Sequence, residues 1–191
     1  MTSDSQIFVS GTWRSDKADK YADAARRVGQ LIAEAGYSLG CGPGTGIARH
    51  AIDGFRSVPH RTGKVRYYLP AETHMRAVGE EVEPGADEII QTDFDYPMRN
   101  VHQISKSVGL IVISGGDGAL EEVLPALADY DLPVSALRGS GQAALALEAL
   151  VQVFPEWAAS ILIAAEPDNL VSFVLGRSRR RTAAPAPRIT I

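Results

Sequence analysis

Two stretches of this chain place residue types that could do chemistry at a phosphorylated ligand. In "VISGGDGALEEV", Val112–Val123, an apolar run meets Ser114, then Gly115, Gly116 and Gly118, then Glu121 and Glu122. Glycines between a strand and a helix let a ligand come close to the backbone amides. The helix start adds free N–H groups and a positive dipole end, which together favour a phosphate. Carboxylates in a first helical turn also suit the dipole by themselves, and that accounts for one of the two glutamates. Successive helical residues point about 100° apart, so only one of the pair turns easily towards the loop. The second stretch is "DYPMRN", Asp95–Asn100, which sets Arg99 near a helix start. The dipole disfavours a cation there, and an anionic partner would offset that cost.

The elements that must position these residues alternate. Short apolar runs read as strands at 6–11, 37–42, 64–69, 87–92, 109–113, 133–137 and 160–165. Segments 16–36, 45–57, 98–107, 118–130, 141–153 and 168–176 read as helices. In the first of them Tyr21, Ala25, Val28, Ile32 and Ala35 recur at three- and four-residue spacing, and Gly36 ends it. Pro125 is expected to kink the helix 118–130. Segment 70–85 has no clear period and reads as a functional or mobile loop. Strands alternating with helices imply parallel pairing, and continuously apolar strands imply a sheet covered on both faces. The fold class is α/β: one Rossmann-like domain over 1–176, with helices on both faces of a parallel sheet of about six strands. The basic, proline-containing segment 177–191 reads as a disordered tail.

In such a sheet ligands bind beyond the carboxyl ends of the strands. Four glycine-rich loops end there: Ser10–Asp16, Cys41–Gly46, Ser114–Ala119 and Leu137–Gln142. Each alone is a weak signal, since glycine also simply makes tight turns; four at one edge point to a nucleotide pocket. No Gly-Lys-Ser/Thr follows any glycine cluster, and Gly-x-Gly-x-x-Gly is missing after the first strand, which argues against a P-loop ATPase and a standard NAD dehydrogenase. Trp13 and Arg14 follow the first strand and could stack on a base; packing is an equal role for the tryptophan.

Composition narrows the classes further. The chain has 191 residues, 45% hydrophobic, with a net charge of −4, which gives no support for holding a nucleic-acid backbone by bulk charge. One cysteine, Cys41, excludes an internal disulfide and fits a reducing cytoplasm. His50, His60, His74 and His102 lack metal-ligand spacing, so no metal is expected. The N-terminal residues lack a basic stretch leading into an apolar run, and no apolar run reaches membrane-spanning length, so a cytoplasmic protein without a leader or membrane contact is expected.

The pattern Met98-Arg99-Asn100, a strand, then Gly115-Gly116-x-Gly118 and Glu122 resembles the mark of the LONELY GUY (LOG)-like superfamily of SLOG-type Rossmann-fold nucleotide-binding proteins, also known by the name "possible lysine decarboxylase". There an arginine segment precedes a strand and Pro-Gly-Gly-x-Gly-Thr-x-x-Glu. The interval from Arg99 to Gly115 is similar, as are the Ser10-Gly11 loop, the turn after Cys41 and "DLPVSALRGSG". The likeness covers roughly 6–153. It implies an enzyme that cleaves the N-glycosidic bond of nucleoside 5′-monophosphates, with Arg99 and Glu122 as the catalytic pair, no cofactor and a homodimeric assembly. Phosphate and ribose would be held by Gly115, Gly116, Asp117, Gly118 and Ala119 with Gly44, Thr45 and Gly46. Ser10, Gly11, Trp13, Met98, Asn100 and Glu121 would contact the base or the rest of the ligand.

The chain departs from that motif at Ser114 in place of proline, Ala119 in place of threonine, and at Asp117. Loss of the threonine hydroxyl removes one hydrogen bond, worth about 1 kcal/mol if neutral. Asp117 would repel a phosphate that it faced. A second class of function therefore stands beside the hydrolase: a carrier or sensor that holds a nucleotide or molybdenum-cofactor-like ligand without cleaving it. A decarboxylase is rejected, because pyridoxal phosphate needs a Schiff-base lysine and neither Lys64 nor Lys106 has a supporting motif. Leu124, Leu127 and Tyr130 are the apolar face expected to pair two subunits, unless they pack on the sheet.

Overall fold

The computed structural model describes residues 5–183. Strands β1 (Gln6–Gly11), β2 (Ser38–Cys41), β3 (Val65–Leu69), β4 (Glu88–Gln91), β5 (Ser107–Ile113), β6 (Val134–Leu137) and β7 (Ile161–Ala164) form one seven-stranded sheet in the order β4-β3-β2-β1-β5-β6-β7. Every neighbouring pair is parallel. Helices α1 (Ser15–Ala18), α2 (Ala22–Glu34), α3 (Ile47–Arg56), α4 (Glu72–Val78), α5 (Tyr96–Ser105), α6 (Asp117–Ala128), α7 (Gln142–Val153) and α8 (Pro167–Ala183) connect and cover the strands.

Strand side chains alternate between two cores, as the pleat requires. Ile7, Val9, Ile111 and Ile113 pack with Val28 and Ile32 of α2, Phe55 of α3 and Leu170 of α8. Phe8, Leu110 and Val112 face the other side, with Ile104 of α5, Val123 of α6 and Leu147 of α7. Burial of each such side chain is worth about 1.5–3 kcal/mol, so both faces hold the strands in register. The Rossmann-like single-domain α/β fold read from the alternation is the one observed, with seven strands rather than about six.

Four local readings are corrected. Segment 70–85 is not irregular throughout: α4 forms within it, anchored by buried Met75 and ended by left-handed Gly79. Its single buried residue leaves too little periodicity to read. The first helix is interrupted by a 3-10 turn at Asp19–Tyr21, where Tyr21 (φ −119°, ψ 17°) leaves helical geometry and its hydroxyl reaches the Gly139 carbonyl. Helix α8 continues past Gly176 to Ala183, since buried Ser178 bonds the carbonyls of Val174 and Val108; the remainder of the expected tail lies outside the described residues. Leu127 is buried in the core beneath α6 while Leu124 is exposed, so α6 does not present the apolar pairing face expected of it. Pro125 lies inside α6 without ending it.

The strand order reverses between β1 and β5, whose ends pair as Gly11 with Ile113. Such a reversal opens a crevice at the carboxyl edge, and all four glycine loops lie there. At two of these glycines neighbouring backbone leaves no room for a side chain. A Cβ on Gly11 would strike the Ile113 carbonyl, and one on Gly46, at φ 56°, would strike the Thr12 carbonyl. Gly118 has nothing near its missing Cβ.

We expect Gly46→Ala to destabilise the fold by about 3 kcal/mol, combining a disallowed φ with a backbone clash. Gly118→Ala should leave stability equal or raise it by up to about 1 kcal/mol, because alanine is the better helix former. Thermal denaturation followed by circular dichroism checks both; equal melting temperatures for the two variants would contradict the assignment.

Candidate functional site

At the carboxyl edge lies a cavity of about 880 Å³. Ser10, Gly11 and Trp13 enter it from β1, Gly42–Thr45 from β2, Ser114–Ala119 from β5 and Ser140–Gln142 from β6. Arg99, Asn100, Glu121 and Glu122 come from α5 and α6.

Helix α5 starts where its sequence dictates. Asp95 accepts a hydrogen bond from the Met98 amide at 3.0 Å, and Pro97 sits in the first turn. This start sets Arg99 and Gln103 one turn apart on the face turned to the sheet, where both are buried. Arg99 Nη1 donates to the Tyr68 carbonyl at 3.1 Å and to Gln103 Oε1 at 3.3 Å. Its Cζ lies 5.4 Å from the centre of the Tyr96 ring, and its Nε is buried with no partner. A Cβ on Gly42 would sit 3.2 Å from Nη1, so that position stays bare beside the guanidinium.

Glu122 is buried and lines the cavity. Its Oε2 accepts from the Ser10 hydroxyl and its Oε1 from Gln103 Nε2. Arg99 and Glu122 are therefore linked through Gln103 rather than by direct contact. Burial pushes the Glu122 carboxyl up to about 7, although the Ser10 hydrogen bond, the Arg99 charge and the Gln103 hydrogen bond all favour the ionised form. Glu121, an exposed residue, takes the other direction and accepts from Asn100 Nδ2 at 3.1 Å.

The glycine loop is built differently from the motif it resembles. Ser114 has φ 64° and donates its amide N–H to Ser140 Oγ at 2.8 Å. Proline, locked near φ −65°, could not take this conformation. Gly115, at φ 94°, is also left-handed, and a Cβ there would meet the Ala119 Cβ at 2.8 Å. Asp117 turns its carboxylate onto the Gly118 amide at 3.0 Å, so one N–H at the start of α6 already has an anion.

Comparison with known proteins places this arrangement. The profile of the SLOG cluster4 family (LDcluster4) matches residues 4–171. The chain belongs to that family. Among solved structures, the molybdenum cofactor binding protein of Rippkaea orientalis is similar at 25% identity, covering 90% of this chain and 94% of that one with a TM-score of 0.69. The molybdenum cofactor carrier protein of Chlamydomonas reinhardtii shares the fold at 23% identity, covering 94% and 99%, TM-score 0.70. TM1055 shares it at 22% identity, covering 90% and 99%, TM-score 0.73. No curated protein matches the chain.

Most site residues expected from the sequence of this SLOG protein line one cavity: Ser10, Gly11, Trp13, Gly44, Thr45, Arg99, Asn100, Gly115, Gly116, Asp117, Gly118, Ala119, Glu121 and Glu122. Gly46 and Met98 do not; Gly46 serves the close packing on Thr12, and Met98 is exposed on α5. Sequence reasoning missed Gln103, which its place four residues after Arg99 could have revealed. It also missed Lys17 and Lys20, which line the cavity beside Arg14. Cys41 is fully buried with its thiol pushed up by burial, which leaves it no nucleophilic role. Among the described residues no group of acids, histidines and cysteine could hold a metal, and no helix is long and apolar enough to cross a membrane.

The state of Glu122 in this SLOG protein has a consequence for stability. The folded protein keeps a proton on Glu122 up to about 7, whereas the unfolded chain releases it near 4.5. Stability therefore falls as pH rises between those values and is flat above them, a loss on the order of 3 kcal/mol. Glu122→Gln carries no charge to bury. We expect it to gain roughly 5–10 °C in melting temperature relative to wild type between pH 5 and pH 8. Scanning calorimetry at the two pH values measures this; a difference that does not change with pH would mean that Glu122 is ionised throughout.

Proposed function

We propose that this SLOG protein binds a nucleoside 5′-monophosphate in the cavity and hydrolyses its N-glycosidic bond, giving free base and ribose 5-phosphate. The observation that carries the reading is the buried Glu122 carboxyl, poised near neutrality between Ser10 and Gln103. A general base works best when its pKa lies near the working pH. In the ionised form Glu122 takes a proton from water as the water oxygen bonds to C1′. The C1′–N bond breaks with its electron pair going to the base nitrogen, which then receives the proton from Glu122. The positive charge that develops on the ribose is also stabilised by a carboxylate held out of bulk water.

Arg99 supplies the anion contact. Its buried, unpartnered Nε suits a phosphate or ribose oxygen. Gln103 is a positioning residue: it ties the carboxylate to the guanidinium from one side of α5. Glu121, engaged with Asn100, has a lesser part.

A second reading is that the ligand is held without being cleaved. The 25% identity to a molybdenum cofactor binding protein favours it, as does Asp117, whose carboxylate occupies an amide that a phosphate would use.

Incubation with adenosine, guanosine, cytidine and uridine 5′-monophosphates, with chromatography of released base, separates the two. We expect base release whose rate rises with pH through about 7 and then levels. Glu122→Gln should lose about 10²–10⁴-fold in rate, while Glu121→Gln loses less than tenfold. Gln103→Met should move the pH profile upwards, since the ionised carboxylate loses a donor. Binding of a monophosphate by wild type without release of base would establish the carrier reading instead.

A further inference from the structure

The wall of the cavity formed after β1 is cationic in a way the proposed chemistry does not use. Arg14, Lys17 and Lys20 all line the cavity. They stand three residues apart in the chain: Arg14 at the extended N-cap of α1, Lys17 within α1 and Lys20 in the 3-10 turn that follows. Buried Ala18 anchors the segment to the core, and the Tyr21 hydroxyl ties its end to the Gly139 carbonyl after β6 at 3.3 Å. Arg14 meets only Asp16, in an exposed pair at 3.4 Å, an interaction easily exchanged for a better anion. Among the described residues no carboxylate lies within ion-pair distance of Lys17 or Lys20. Three cations thus line one opening, two of them without an ion-pair partner among the described residues.

This wall and Arg99 are not at the same place. Arg99 sits beside Gly42, after β2, and bonds the Tyr68 carbonyl of β3. Tyr21, at the end of the cationic segment, reaches the Gly139 carbonyl after β6. From Gly42, after β2, to Gly139, after β6, is three strand spacings in this sheet, about 14 Å, so the opening is wider than one phosphate. The cavity volume of about 880 Å³ is near the top of the range for ligand pockets.

We infer that Arg14, Lys17 and Lys20 form a second anion seat, so that the ligand of this cavity carries two phosphoryl groups held apart by about the length of a nucleoside. The inference rests on the reading of the cavity as a nucleotide site and narrows its ligand class. One phosphoryl group meets Arg99; the other meets the lysines.

Isothermal titration of wild type and of the Lys17→Gln/Lys20→Gln variant tests it, with adenosine and guanosine 5′-monophosphates compared against the corresponding 3′,5′-bisphosphates. Both lysines are exposed, and circular dichroism confirms that the variant folds. Wild type should bind a bisphosphate at least tenfold more tightly than its monophosphate, and the variant should lose that preference. Equal affinity of wild type for the two ligand classes, or an unchanged preference in the variant, overturns the second seat. Base release from a monophosphate with no preference for the bisphosphate would leave hydrolysis standing and remove the seat. A lysine-dependent preference without base release would do the reverse. No binding of any probe would remove both.

Discussion

Everything around the cavity is arranged about one buried carboxylate. Taking Glu122 out of water costs several kcal/mol if it is charged and unpaired, and the protein answers with a hydroxyl, an amide and a nearby guanidinium. These partners do not cancel the cost, and the carboxyl remains raised to about 7. A group kept in that balance is expensive as a structural element and useful as a proton carrier. Such perturbed groups in clefts concentrate where chemistry is done.

The constraint reaches back through the fold. Ser10 lies one residue before the end of β1, Gln103 and Arg99 share a face of α5, and Glu122 belongs to the first turns of α6. They meet because β1 and β5 are neighbours at the reversal of strand order, and because α5 and α6 flank β5 on one face of the sheet. The Asp95 cap fixes where α5 begins and so fixes the phase of Arg99 and Gln103. The left-handed turn at Ser114 and Gly115, held by Ser140, sets the start of α6 and therefore the direction of Glu122.

The fold was legible because its signal is repetitive. Apolar strands such as Gly109–Ile113 alternate with amphipathic helices, and that pattern has few solutions. The site was legible in part: spacing set the two glutamates about 100° apart, the family resemblance singled out Glu122, and in the fold Glu122 is buried while exposed Glu121 reaches Asn100 on the cavity wall. What stayed hidden depends on contacts between distant segments. Gln103 gains its role only from the carboxylate it meets, nineteen positions later in the chain. The conformation of Ser114 comes from Ser140, on another loop. Lys17 and Lys20 join the cavity wall only in the fold, where the segment after β1 lies beside loops from β2, β5 and β6. The glycines of the β5–α6 loop read alike in sequence, but only Gly115 is demanded by its backbone, and Gly118 is not.

The central claim is that Glu122 shares its proton with solvent near neutral pH inside the folded protein. Its carboxyl can be followed directly by carbon-13 nuclear magnetic resonance in protein labelled at glutamate side-chain carboxyls, with the signal assigned by its loss in Glu122→Gln. The structure predicts a titration midpoint at about 7. A midpoint near the ordinary value of 4.5 would contradict it, and with it the role of Glu122 as the group around which the site is built.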